Sequence, residues 1–255
     1  MSGQSPKSIR QKFIELDADR KSPTYGADVV YPVGGRTFGF ASDCLADTGL
    51  TAVSGADAQA ADAVAVGVTG GAIRLVTGNA DGAVANDGSQ IFFGAVQLDE
   101  TSGNTVVEAR VRIATAITTV SVFVGLTDSA GLEEPFTNAT DTITSVATDG
   151  VGFHFDSAAT TLEWWMVGVD SNTDDTGNAA LGVAPVADVW QVLRLEVNPA
   201  GDQCNFYVDG AWVGELVAAG CGPDVMLYPT IIANATTTTS KTVDISMIKF
   251  HGEHA

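Results

Sequence analysis

The feature that most constrains this chain is a side-chain alternation with a period of two. Val107, Ala109, Val111 and Ile113 alternate with Glu108, Arg110 and Arg112. Val120, Val122, Val124 and Leu126 repeat the pattern, as do Val151, Phe153 and Phe155, and then Leu193, Leu195 and Val197. A strand sends successive side chains to opposite faces, so each stretch reads as a strand with one face in a core. Thr37–Ala41, Ala72–Val76, Gln90–Leu98, Leu227–Ala233 and Thr242–Phe250 read as further strands. Leu162–Val169 is almost continuously apolar, which predicts a central strand covered on both faces. Asp209-Gly210 marks a hairpin between Cys204–Val208 and Ala211–Val217. Cys44–Val68 has weak periodicity and reads as loop with one poor strand or helical turn. No long helical pattern interrupts the series. The expectation is an all-β, two-sheet antiparallel sandwich.

Composition narrows the partners. Apolar residues make up 45% of 255 residues, enough for a substantial core. No apolar run approaches the roughly 20 residues that span a bilayer. The start, MSGQSPKSIRQKF, lacks an apolar leader segment, and Cys44, Cys204 and Cys221 form no disulfide framework. Synthesis in a reducing cytoplasm is therefore expected. The chain carries 31 acids against 12 bases, a net charge of −19. Such a body repels phosphate backbones and anionic lipid, so neither nucleic acid nor membrane is an expected partner.

The charge is uneven. Residues 1–40 hold six of the twelve bases and only four acids. Ser5-Pro6 reads as a helix start, and Ile9, Phe13 and Leu16 fall on one face of a short helix. That helix is too short to persist alone, so its stripe needs a surface. Ser22 to Gly35, with Pro23, Pro32 and Gly34-Gly35, reads as extended linker. Residues 1–36 are thus expected to be a docking arm, and residues 37–255 the sandwich domain. The arm would grip a neighbour through Ile9, Arg10, Lys12, Phe13, Leu16, Arg20, Lys21 and Tyr25.

Trp190-Gln-Val-Leu-Arg-Leu-Glu-Val-Asn198, then Gly201, Asn205-Phe-Tyr-Val-Asp-Gly210 and Val213-Gly-Glu-Leu216, form a recognisable succession. It resembles the C-terminal half of concanavalin A-like lectin/glucanase jelly rolls. The resemblance implies a concanavalin A-like jelly roll over residues 37–255. It implies no single activity, because that superfamily hosts lectins, glycosidases, adhesins and virion proteins.

The sequence offers little chemistry of its own. Glycoside hydrolysis needs two placed carboxyl groups. The Glu-x-Asp-x-x-Glu pattern of the superfamily's glycosidases does not occur; Glu163 stands alone, and Glu133-Glu134 before Pro135 reads as loop. Asp170, Asn172 and Asp174 alternate oxygen ligands as a calcium loop would, but Leu181 stands where a closing acid belongs, so an acidic turn is the better reading. His251 and His254 read as a solvated tail, and His154 as lying on a strand surface. Trp164-Trp165 sends one ring to each face; Trp165 is the candidate for stacking on a sugar, although burial of both rings is the plainer expectation.

The expectation is therefore a protein that is not an enzyme, with no cofactor and no firm metal site. The acidic β-body with its semi-basic arm resembles the head decoration (cement) proteins of tailed bacteriophages. That resemblance implies a structural virion protein on the outer capsid surface, binding the major capsid protein and forming a homotrimer. The alternative is a carbohydrate-binding module or adhesin recognising a surface glycan.

Overall fold

The computed structural model describes residues 37–42, 51–54, 63–68, 72–77, 88–92, 96–97, 104–114, 116–128, 134–217, 225–237 and 239–253. The arm residues Ile9, Arg10, Lys12, Phe13, Leu16, Arg20, Lys21 and Tyr25, and Cys44 and Cys221, lie outside the described residues.

The described residues form nineteen strands and no helix. In chain order these are β1 (Thr37–Ser42), β2 (Thr51–Ser54), β3 (Ala63–Val68), β4 (Ala72–Val76), β5 (Gly88–Phe92), β6 (Val96–Gln97) and β7 (Thr105–Ile113). There follow β8 (Val120–Thr127), β9 (Phe136–Ala139), β10 (Thr142–Ser145), β11 (Gly150–Asp156), β12 (Trp165–Asp170), β13 (Thr173–Asp174) and β14 (Ala179–Ala180). The last are β15 (Gln191–Val197), β16 (Gln203–Val208), β17 (Ala211–Val217), β18 (Met226–Ala235) and β19 (Thr242–Glu253).

Two antiparallel sheets hold most of them. The first runs β17-β16-β15-β7-β19-β4-β3, with β1 also paired to β19. The second runs β13-β12-β11-β8-β18-β5-β2, with β14 on β12 and β6 on β18. The fold is a two-sheet antiparallel jelly-roll sandwich, as the alternation predicts. Val107, Ala109, Val111 and Ile113 face Val122, Val124, Val151 and Phe153 across the main core. Phe206 of the first sheet meets Phe153 of the second edge-on at 5.1 Å between ring centres. Trp164 closes this core beside Phe155 at 5.9 Å, and its Nε1 donates to Gln191 Oε1 at 2.9 Å. A buried indole N–H needs such an acceptor.

Some strand expectations change. Residues 44–68 supply two strands, β2 and β3, rather than one poor strand or a helical turn. The apolar run 162–169 becomes β12, which lies near the sheet edge, not at its centre. It is still covered on both faces, because the β9–β10 hairpin packs over the second sheet's outer side. Three hairpins turn through adjacent residues of positive φ: Thr140-Asp141, Ser171-Asn172 and Asp209-Gly210. That pair of left-handed conformations matches the twist of the flanking strands.

Candidate functional site

Alternation decides what stands on the second sheet's outer face. With Phe153 and Phe155 in the core, His154 and Asp156 must point the other way. With Val122 and Val124 in the core, Ser121 and Phe123 do the same, as do Ile232 and Asn234 beside Ile231 and Ala233. Register places these side chains in rows: His154 is opposite Phe123, and Phe123 is opposite Ile232.

The β9–β10 hairpin lies over these rows. Its inward residues are Phe136 and Asn138, both fully buried. Phe136 stacks at 5.8 Å on Phe123, in a second apolar cluster with Trp165, Val167, Val169 and Ile232. The hairpin is fastened at three points. Asn138 N donates to Asp156 Oδ2 at 3.2 Å, Ser145 N donates to Asp174 Oδ1 at 3.1 Å, and Asp141 accepts from Thr161 N and Oγ1.

Under its edge, Glu134, His154 and Asp156 converge, with one ligand atom from each within 4.8 Å of the others. His154 is 0% exposed, which corrects its expected place on a strand surface; the hairpin covers the strand face it occupies. Both of its ring nitrogens lack a hydrogen-bond partner, as do both amide atoms of Asn138. Burial pushes the imidazole down to about 3, so His154 is neutral at ordinary pH. Burial pushes the Glu134 carboxyl up to about 8; a bond from Ser121 opposes this, the Asp156 charge adds to it, and an Asn234 bond opposes it again. Asp156 is raised by burial, against bonds from Ala158 N and Asn138 N. Chemically the cluster is a neutral imidazole and two carboxyl groups that resist losing both protons together.

Sequence reasoning placed Glu134 in a loop, where it lies, but assigned it no neighbours. His154 and Asp156 share a parity that the sequence displays. The hairpin that turns this parity into a buried cluster is what the sequence concealed.

The other candidates take ordinary positions. Trp165 is 7% exposed, and its Nε1 donates to the Thr161 carbonyl, so its ring presents no open face to a sugar. Asp170, Asn172 and Asp174 belong to the β12–β13 hairpin. There Asp170 Oδ1 accepts from Ser171 Oγ, and Asp174 Oδ1 from Ser145 N. One of these oxygens thus serves the turn itself and the other ties β13 to β10. Glu163 Oε2 accepts from Gly182 N.

The outer face of the first sheet differs in charge from the rest of the chain. Five of the six bases beyond residue 40 stand on it: Arg74, Arg110, Arg112, Arg194 and Lys249. Asp244 receives Arg74 at 2.7 Å and Arg112 at 2.6 Å, and Glu108 receives Arg194 at 3.4 Å and Lys249 at 3.2 Å. Trp190 lies under both Arg110 and Arg112, with guanidinium-to-ring distances of 4.6 and 4.7 Å. At the edge strand β17, Trp212 is 57% exposed.

Known structures share this architecture. A protein of unknown function from Shewanella oneidensis MR-1 superposes with a TM-score of 0.62 at 12% identity, covering 100% of this chain and 97% of that one. A prokaryotic beta-1,3-1,4-glucanase (lichenase) derived from a mouse hindgut metagenome gives 0.56 at 10% identity, over 83% of this chain and 98% of that one. The Emp47p carbohydrate recognition domain gives 0.52 at 12% identity, over 82% and 92%. The fold is the concanavalin A-like lectin/glucanase jelly roll. No protein-family model matches the sequence, and no curated protein matches it. The concanavalin A-like fold also corrects the expectation that this chain is not an enzyme. Glucanases and a glycosidic hydrolase share it, as do carbohydrate recognition domains, so the missing Glu-x-Asp-x-x-Glu pattern does not exclude catalysis.

Proposed function

We propose that this chain is a structural virion protein, a capsid decoration protein of a tailed bacteriophage that holds the major capsid protein through its N-terminal arm. The observation that carries the reading is the filled outer face of the second sheet. A polysaccharide or glycan needs an open groove with polar and aromatic groups facing solvent. Here Phe123, Phe136, Trp165 and Ile232 fill that position as a second core beneath the chain's own hairpin. Such a sheet face adds rigidity rather than a cleft.

Two further features support it. The arm concentrates positive charge and an apolar stripe ahead of an acidic body. Burying Ile9, Phe13 and Leu16 on a neighbour would return about 25 cal/mol per Å² against the entropy of ordering the arm. The charge-balanced outer face of the first sheet could lie against a neighbour without the repulsion its acidic surroundings would bring. On this reading the body self-associates as a trimer on the outer capsid surface.

The test is co-sedimentation of the full chain with assembled capsids of the same virus. Wild-type protein should pellet with the capsids. The double variant Ile9→Asp, Phe13→Asp should stay in the supernatant with an unchanged circular dichroism spectrum. Capsid binding that survives the double substitution refutes the arm's role. Glycan binding by the purified chain on an array would favour the carbohydrate-binding alternative.

A further inference from the structure

We propose that Glu134, His154 and Asp156 form a binding site for one divalent transition-metal ion of the zinc or manganese class, roofed by Asn138. Such a site would be present whether or not the chain decorates a virion.

Three observations carry it. First, the donor set converges. One imidazole nitrogen and two carboxylate oxygens lie within 4.8 Å of one another. Donors on one tetrahedral ion with bonds near 2.1 Å stand about 3.4 Å apart, so small side-chain rotations close the site. Second, the polar groups here are buried without partners. His154 and Asn138 are 0% exposed, and all four of their side-chain nitrogen and oxygen atoms go unpaired. A buried polar group without a hydrogen bond costs about 1–3 kcal/mol. An ion would satisfy a ring nitrogen of His154. Third, the carboxylates are already oriented by other bonds. Ser121 Oγ donates to Glu134, while Ala158 N and Asn138 N donate to Asp156 Oδ1 and Oδ2. Such supporting bonds aim a ligand and leave a lone pair for the ion.

The chemistry selects the ion. Calcium and magnesium prefer all-oxygen shells, whereas an imidazole nitrogen suits zinc and its neighbours, and the two carboxylates extend the range to manganese. A divalent cation seated between the two carboxyl groups would take the place of a proton and make their oxygens a favourable pair of anionic ligands. The site lies under a hairpin, so its natural role is to fasten β9–β10 to β8 and β11.

The test uses the untagged full chain, stripped with chelator and titrated calorimetrically with zinc, manganese or calcium chloride near neutral pH. Zinc or manganese should bind at about one ion per chain, and calcium should not compete. At a hundredfold excess over Kd, the melting temperature should rise by about 5–10 °C and fall again with chelator. Glu134→Gln and His154→Gln should each weaken binding by about tenfold or more. X-ray absorption of the zinc-loaded wild-type chain reads the shell without any variant: one imidazole with oxygens at about 2.0–2.1 Å supports the site. Absence of zinc and manganese binding, affinity untouched by both variants, or a two-imidazole shell abolished by His251→Ala would overturn it.

Discussion

Phe136→Ala tests whether the hairpin is part of the folded core or merely rests on it. The ring is 0% exposed and contacts Phe123, in a cluster that also holds Trp165 and Ile232. Returning a buried phenylalanine to water costs about 1.5–3 kcal/mol. A cavity adds to this, because the floor is sheet backbone that cannot move up to fill it. Beneath Phe123, Gly125 and Gly152 leave no side chains to repack: a Cβ on Gly152 would lie 2.6 Å from the Phe123 ring. The total expected loss is about 3–5 kcal/mol. At about 2–4 °C per kcal/mol for a domain of this size, the melting temperature should fall by about 6–20 °C. Urea unfolding followed by tryptophan fluorescence should show a lower midpoint at constant slope. Val146→Ala, an exposed position in the same segment, should change stability by no more than about 0.5 kcal/mol. A Phe136→Ala loss below about 1 kcal/mol would mean that the hairpin does not seal the outer face of the second sheet.

Asp244→Asn should cost about 1–3 kcal/mol, toward the lower end because Arg74 and Arg112 keep part of their water. Burial alone would raise the Asp244 carboxyl, but bonds from both arginines more than offset it and hold it below 3.8. Its stabilisation is therefore present above that value and lost as pH falls through the lowered one, and acid titration of the variant should lack this limb. In chelator, the cluster should give a stability maximum between about pH 4.5 and 6.5. Below 6.5 the unfolded chain binds the proton that buried His154 refuses, so stability falls toward acid, and above 4.5 folded Glu134 keeps a proton the unfolded chain releases, so stability falls toward pH 8. The two slopes oppose each other within that window, and a profile rising steadily from pH 6.5 to 8 would contradict the Glu134 placement. Gly125→Ala should destabilise by at least about 1–3 kcal/mol in thermal melts, since its Cβ would stand 2.3 Å from the Val151 carbonyl and 2.6 Å from Gly152 Cα.

The sandwich was legible wherever one strand face meets the core and the other does not, as in 105–113 and 191–197, where burial alternates residue by residue. It was less legible where both faces are covered. β8 and β11 are buried throughout, and only the chemistry of Ser121, His154 and Asp156 betrays their second face. The hairpin that covers them was not legible. Its strands are four residues each, and its turn is Thr140-Asp141, not the Asn-Gly or Asp-Gly pair that announces such a turn. Thr140 is held at positive φ by tertiary bonds from Thr161 to Asp141, a constraint no local pattern encodes. The Glu134–His154–Asp156 cluster inherits that opacity, because a loop residue and a strand become neighbours only when the hairpin folds over.

The strand order also has a consequence for how this molecule comes into being. β18 and β19, late in the sequence, sit in the interior of the two sheets and are the sole ladder partners joining β5 and β4 to β8 and β7 among the described residues. During synthesis, the early strands must wait, unsatisfied, for partners that are translated last. Assembly of the sandwich should thus be a single late event rather than a progressive one, dominated by contacts distant in sequence and correspondingly slow. Until it happens, the nascent polypeptide carries open strand edges that invite pairing with other chains, and its strong negative charge is then its chief protection against clumping.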